Sequence, residues 1–297
     1  MVPGLSVLIP VFNCEVATLV HSLVAQVSDW PGPVEIWLID DGSEQPFREA
    51  NRQLGSLTGV DYRELPRYVG RAAIRNHLAA AAQHEWLLLL DNDSHLPDTQ
   101  FLARYAKVLP QATVFIGGTC YAATPPAAAA LRLRWRYGRA REARPATVRQ
   151  AHPHGQFTIN NALIRADVFR RFPLDERLTE YGHEDTKLGA DLAAAGLAVR
   201  HIDNPVRHDG LEPAAVFLQK SEQAVRNLVR MFRQDELDGD SRLLRTAVHL
   251  RRLGLAPAAL TTLAALAPVL RRQLLSSAPR LRVFDLLKLY WLLRELA

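Results

Sequence analysis

The chain has 297 residues, 48% of them apolar and 23% charged. It can therefore bury a substantial core and is neither disordered nor collagen-like. Two cysteines, Cys14 and Cys120, exclude a disulfide framework or a multi-thiolate zinc site, and a net charge of +5 permits an anionic partner without requiring nucleic acid.

The N-terminus enters an apolar run without a basic region or a small-residue cleavage site, so the sequence predicts no secretory leader and a cytoplasmic chain. Residues 5–11 form a continuous apolar run, as expected of a strand buried on both faces. Helical spacing follows over 16–27, a strand over 34–39, a short helix over 47–54 and a strand over 60–65. An Ala-rich helix over 70–83 leads to a strand over 86–90, a helix over 98–108 and a strand over 113–116. Strands alternating with helices predict an α/β fold, a mostly parallel Rossmann-like sheet flanked by helices. Residues 131–149 break the alternation with seven arginines against the single acid Glu142, and read as an irregular, solvated insertion. A strand over 157–164, a helix over 184–195 closed by Gly196, and a strand over 198–202 follow. From 213 the pattern is helical, with helices expected near 213–234, 241–253, 257–275 and 280–296. The uncharged run 253–270 contains Gly254, Pro257 and Pro268 and reads as a helix pair, not a membrane span.

Ligands of open parallel sheets bind beyond the carboxyl ends of the strands. Acids recur there: Asp40 and Asp41 in Ile-Asp-Asp-Gly-Ser, then Asp91 and Asp93 in Leu-Asp-Asn-Asp-Ser. Neither a G-x-G-x-x-G nor a P-loop motif is present. Carboxylates at a sheet end point instead to phosphate binding through Mn2+ or Mg2+, which prefer oxygen ligands. Two carboxylates this close are costly unless a cation lies between them. Asp41 also suits the plain role of capping the turn at Gly42.

These residues resemble the inverting family-two glycosyltransferases. The resemblance rests on Ser-Val-Leu-Ile-Pro-Val-Phe-Asn at 6–13, Asp-Asp-Gly-Ser at 40–43, Arg75-Asn76, Asp91-Asn92-Asp93, Gly182-His183-Glu184-Asp185 and His208. It covers residues 4–212 and implies a GT-A catalytic domain over 1–212, with a donor half near 1–120 and an acceptor half near 121–212. An α-helical C-terminal extension over 213–297 lies outside the motifs, as does the insertion; both resemble a bacterial subset engaged in polysaccharide biosynthesis. The resemblance further implies a nucleotide-sugar donor, with a UDP-sugar favoured, and a glycan or lipid-linked acceptor. Asp41 would meet the base, Asp91 the ribose or a metal-bound water, Asp93 and His208 the metal, and Asn160 or Asn161 the sugar or acceptor. Arg71 or Arg75 would face the diphosphate from the start of a helix. Asp185 would be the general base and Glu184 its orienting neighbour. An inverting transfer needs one carboxylate to take the acceptor proton, although acids are also simply favoured at a helix start.

A sugar-1-phosphate nucleotidyltransferase would carry a Gly-rich N-terminal loop, and Ile9–Asn13 has none. A non-catalytic scaffold or binding protein on the same fold remains the alternative, although it has no need of Asp93 and Asp185. Nucleic acid is not expected: a glycan or lipid phosphate accounts for the basic insertion more simply. The tail over 213–297 carries 14 Lys and Arg against 7 Asp and Glu. It suits packing on the catalytic domain, a homodimer contact, or peripheral attachment to the inner face of the cytoplasmic membrane.

Overall fold

The computed structural model describes residues 3–177, 181–234 and 241–297. Along the chain run β1 (Leu5–Val11), α1 (Ala17–Val24), β2 (Val34–Asp40), α2 (Gln45–Arg52), β3 (Val60–Glu64), α3 (Arg71–Ala81) and β4 (Trp86–Leu90). Next come β5 (Ser94–His95), α4 (Phe101–Ala106), β6 (Val114–Ile116), β7 (Thr119–Cys120), α5 (Arg132–Tyr137) and α6 (Ala146–Arg149). Then follow β8 (Asn161–Arg165), α7 (Ala166–Arg171), α8 (Glu184–Ala194), β9 (Val199–His201) and β10 (Val206–His208). Four helices close the chain: α9 (Ala214–Arg233), α10 (Arg242–Arg252), α11 (Ala256–Leu274) and α12 (Leu281–Leu296).

The described residues fall into two units. One comprises those of Met1–Tyr121, Glu142–Thr179 and Glu184–Gly210, the other those of Ala122–Arg141, Glu180–His183 and Leu211–Ala297. The first is built on a seven-stranded sheet in the order β3-β2-β1-β4-β8-β6-β9. Only β8 runs antiparallel to its neighbours β4 and β6. Strands buried on both faces explain the continuous apolar runs: Leu5, Val7 and Ile9 of β1 enter one core with Ile36, Leu38, Leu88 and Leu90. Leu8 enters the core on the other face with Trp37, Ile39, Leu87 and Leu89. The β1–β2 register ends at Val11 opposite Asp40, which delivers the Asp40-Asp41 turn to the carboxyl edge. A second, three-stranded sheet in the order β5-β10-β7 sits in the same unit.

In the second unit, α9 to α12 and α5 share a core around Phe217, Leu228, Phe284, Leu287 and Trp291, with Leu133 contributed by α5. The Tyr137 ring stands 5.3 Å from Phe217 and 5.6 Å from Phe284, within the range of favourable aromatic pairs.

Three expectations are corrected. Phe157 and Ile159 are buried, but the strand begins only at Asn161 and Asn160 lies in the turn before it. The insertion is largely helical rather than irregular: α5 leads into a π-helical turn, Gly138–Glu142, and α6 follows. Its charge is not all solvated, because Arg149 is buried and donates to the carbonyls of Ile116, Gly117 and Ile202 at 3.1, 3.0 and 2.7 Å. One helix, α11, crosses most of the run expected to hold a helix pair, with Pro268 inside it.

Candidate active site

The candidate residues of the first unit lie where its strands end. After β1, Asn13 takes a left-handed conformation (φ 46°). Its amide donates to Ser43 Oγ at 2.8 Å and its side chain accepts from the Glu44 amide at 2.8 Å. The first strand's loop is thus tied to the Asp40–Ser43 turn. Asp40 is the turn cap, accepting the Ser43 amide at 2.7 Å. Gly42 is required here: its φ is +81°, and a Cβ would stand 2.7 Å from the Tyr68 amide nitrogen.

Asp41, buried, accepts the Val69 amide at 2.7 Å and the Gly70 amide at 3.1 Å. It therefore fixes the loop that launches α3. Burial raises its pKa against the pull of those two amides. Beside this loop, Phe12 and Tyr68 are exposed and their rings are 5.0 Å apart. Sequence reasoning missed this pair, since an isolated Phe and Tyr in separate loops carry no periodic signal.

Helix α3 brings two arginines with different surroundings. Arg75 is buried; it donates to the Arg71 carbonyl at 2.9 Å and to the Asp91 carboxylate in a short charge-assisted contact. Arg71 is 41% exposed at its side chain against 7% for Arg75, and its Nε lies 3.4 Å from Glu184 Oε1. Burial works to raise the Asp91 pKa, but the Arg75 and Arg71 guanidiniums outweigh it and hold the carboxyl below its usual range. Asp91 is thus turned toward Arg75.

The turn after β4 separates Asp93 from Asp91. The Ser94 amide bonds the Asp91 carbonyl at 3.2 Å, and the Asp91 amide bonds the Asn160 carbonyl at 3.3 Å. Strand β10 pairs antiparallel with β5, placing His208 opposite Ser94. His208 Nδ1 is 3.2 Å from Asp93 Oδ1, and that buried oxygen accepts no hydrogen bond. Tyr121 packs edge-on against the His208 ring at 5.5 Å. Gly210 lies against Asp93 so closely that a Cβ would fall 2.1 Å from Oδ2. A buried, unsatisfied carboxylate oxygen facing an imidazole nitrogen fits a divalent cation such as Mn2+ or Mg2+. Among the described residues no three His, Cys, Asp or Glu side chains converge as ligands; Asp93 and His208 face each other as a pair.

Asn160 donates to Thr119 Oγ1 at 2.8 Å and stays partly exposed. Asn161 is fully buried: its side chain donates to the carbonyls of Gly118 and Asn204 at 2.9 and 2.8 Å and accepts from Tyr105 at 2.8 Å. That makes it a structural residue of the sheet.

Gly182 and His183 both have positive φ, 94° and 77°, immediately before α8. The Gly182 carbonyl accepts from the buried Asn227 at 3.0 Å. Burial and the Lys288 ammonium push the His183 pKa down to about 4, so the ring is neutral at physiological pH. Glu184 and Asp185 then open α8. Burial pushes the Asp185 pKa up to about 7, with the Glu184 carboxylate adding to it and Arg75 opposing it; Asp91 and Arg71 act more weakly. A carboxylate that changes protonation near neutral pH, inside a cluster of two arginines and two acids, can accept a proton from a bound hydroxyl.

The model of the family described as "Glycosyl transferase family 2" matches residues 6–171. No curated protein sequence matches the chain. Among solved structures, the mannosyltransferase PcManGT from Pyrobaculum calidifontis, in complex with GDP-Man and Mn2+, is 16% identical with a TM-score of 0.62. That match covers 99% of this chain and 86% of PcManGT. S. aureus TarS 1-349 is 16% identical with a TM-score of 0.53, over 98% of this chain and 90% of that one. The same protein in complex with UDP-GlcNAc is 14% identical with a TM-score of 0.50, over 74% and 64%. At these identities the likeness establishes the fold, which is GT-A with a helical C-terminal extension.

Proposed function

Because this chain belongs to glycosyl transferase family 2 and is a glycosyltransferase, we propose that it is a metal-dependent, inverting one. It transfers a hexosyl group from a nucleoside-diphosphate sugar to a hydroxyl of a glycan or lipid-linked acceptor. The observation that carries this reading is the Asp185 carboxyl, raised to about 7 at the start of α8. At that value a large fraction is ionised at neutral pH, and the group is basic enough to take a hydroxyl proton.

Asp185 accepts the acceptor proton as the acceptor oxygen bonds to the anomeric carbon. The bond from that carbon to the diphosphate oxygen breaks on the opposite face, and the nucleoside diphosphate leaves with the electron pair. Glu184, next to Asp185 and 3.4 Å from Arg71 Nε, keeps the base's pKa high and orients the acceptor side. Arg71 is the arginine that meets the diphosphate, since Arg75 is engaged with Asp91. Asp41 accepts from the base through lone pairs left by the Val69 and Gly70 amides, and Phe12 with Tyr68 offers a stacking surface beside it. Asp91 holds the ribose side of the donor, and Asn160 the sugar. Asp93 and His208 would hold Mn2+ or Mg2+, whose Lewis acidity stabilises the leaving diphosphate when bound. The donors bound in the neighbouring structures, GDP-Man and UDP-GlcNAc, support the nucleotide-sugar class, and the Mn2+ beside GDP-Man supports the cation.

The test is direct: the protein is mixed with Mn2+ and a panel of nucleotide sugars, and released nucleoside diphosphate is measured. Release with a particular donor, lost in Asp185→Asn when an acceptor hydroxyl is present, supports the reading. A blank across the panel favours a binding protein on the same fold.

A further inference from the structure

The second unit contains a helix with an anomalous surface. A helix that is apolar around its whole circumference is ordinarily buried on all sides. Helix α11 has no charged residue between Arg252 and Arg271, yet only an inner stripe through Leu263 and Leu274 is buried. Its outward side carries Leu255, Ala258, Thr262, Ala265, Leu266 and Val269, all exposed, at spacings of three, four, three, one and three residues. Leu255 is 50%, Leu266 44% and Val269 63% exposed, and Leu253 and Leu275 extend the patch at either end. Scattered single leucines would need no explanation, but one uncharged helix face does.

The charge around this face selects its occupant. From Ser241 to Phe284 the sequence contains eight arginines and no aspartate or glutamate. Arg251 and Arg252 precede α11, Arg271 and Arg272 stand in its last turn, and all four are exposed. The 19-residue helix is about 28 Å long, so a helix lying flat brings both arginine pairs to the same surface at once. A second copy of the chain docked face to face would set the four flanking arginines against four more, which disfavours a symmetric dimer here. Among the described residues no helix is long and apolar enough to cross a membrane.

We propose that α11 lies in the headgroup region of an anionic lipid bilayer, its outer face in the acyl boundary and its flanking arginines on lipid phosphates. None of its residues is among those assigned to sugar transfer, and its test does not depend on turnover.

The full-length protein is sedimented with vesicles of phosphatidylglycerol and phosphatidylcholine, and with phosphatidylcholine alone. Binding to the anionic vesicles at low salt, weakened about tenfold or more by high salt or by neutral lipid, is expected. The pair Leu266→Glu with Val269→Glu sits on exposed positions, so the helix should stay folded by circular dichroism while vesicle binding falls about tenfold or more. Arg271→Glu with Arg272→Glu should do the same by removing the charge component. No vesicle binding at low salt overturns the proposal, as does equal binding to neutral lipid. It is also overturned if sedimentation equilibrium shows a dimer that the Leu266/Val269 pair dissociates in the absence of lipid binding, because a second copy then covers the face.

Discussion

His208 Nδ1 stands 3.2 Å from an Asp93 carboxylate oxygen that accepts no hydrogen bond. A buried acceptor left in this state is costly in a protein that has no use for it. Removing the carboxylate removes an anionic ligand from a partly exposed side chain. Asp93→Ala is therefore expected to abolish Mn2+-dependent binding of a nucleoside diphosphate while leaving thermal unfolding near that of the parent. Calorimetric titration of the nucleotide with and without Mn2+ checks this, and unchanged metal-dependent affinity would sink the assignment.

Gly210 offers a subtler route to the same site. A methyl group there would come within 2.1 Å of Asp93 Oδ2 and 2.7 Å of Asp93 Cβ, so the carboxylate must move and the backbone beside it must shift too. Gly210→Ala should weaken metal-dependent nucleotide binding by roughly tenfold or more, with a modest drop in melting temperature from the local backbone shift. A loss of fold without any selective loss of metal dependence would show that the close approach is only packing.

Asp185→Asn should preserve donor affinity and reduce turnover by roughly a hundredfold or more, since an amide cannot take the acceptor proton. With the parent protein, the rate should rise with pH through a midpoint near 7, where the carboxyl ionises. Stability should move the other way. A carboxyl raised from 3.8 to about 7 on folding binds its proton more tightly in the native state, so stability falls as pH rises through that window. Asp185→Asn escapes this loss. Its melting temperature should exceed the parent's at pH 8 and approach it at pH 4, measured by circular dichroism.

The two arginines of α3 should separate cleanly. Arg75→Met strands Asp91 without its partner and is expected to destabilise the fold by about 2 kcal/mol, read from denaturant unfolding. Arg71→Ala touches an exposed side chain whose neighbour Glu184 lies 3.4 Å away, so stability should change by less than about 1 kcal/mol. Nucleotide-sugar affinity should nevertheless fall several-fold. If Arg71→Ala binds donor as tightly as the parent, the diphosphate contact lies elsewhere.

The parts legible in the sequence were those governed by burial over many residues. Strands β1 and β4 announce themselves because both faces are covered, so all but Ser6 of their positions are apolar. The four C-terminal helices start and stop within two residues of their predicted bounds. Strands β5, β7 and β10 were invisible, since two or three residues cannot display a period. The loss matters, because β10 against β5 is what brings His208 to Asp93. The buried arginine Arg149 reversed the ordinary reading of charge as solvation: it is buried by carbonyl groups that no local pattern foretells. Phe157 and Ile159 alternate like a strand, yet they fill the core from a turn.

The pairing of β5 with β10 also sets a clock on biosynthesis. Asp93 is synthesised 115 residues before His208 (208 − 93). Strands β1 to β4 can associate early, since β1, β2 and β3 pair in sequence and β4 returns to pair with β1. The imidazole arrives through a contact of long sequence separation, the kind whose loop closure is slow. A nascent chain stalled before Val206 would present its acidic edge without His208, so any divalent ion held by the proposed pair would be captured only late in synthesis.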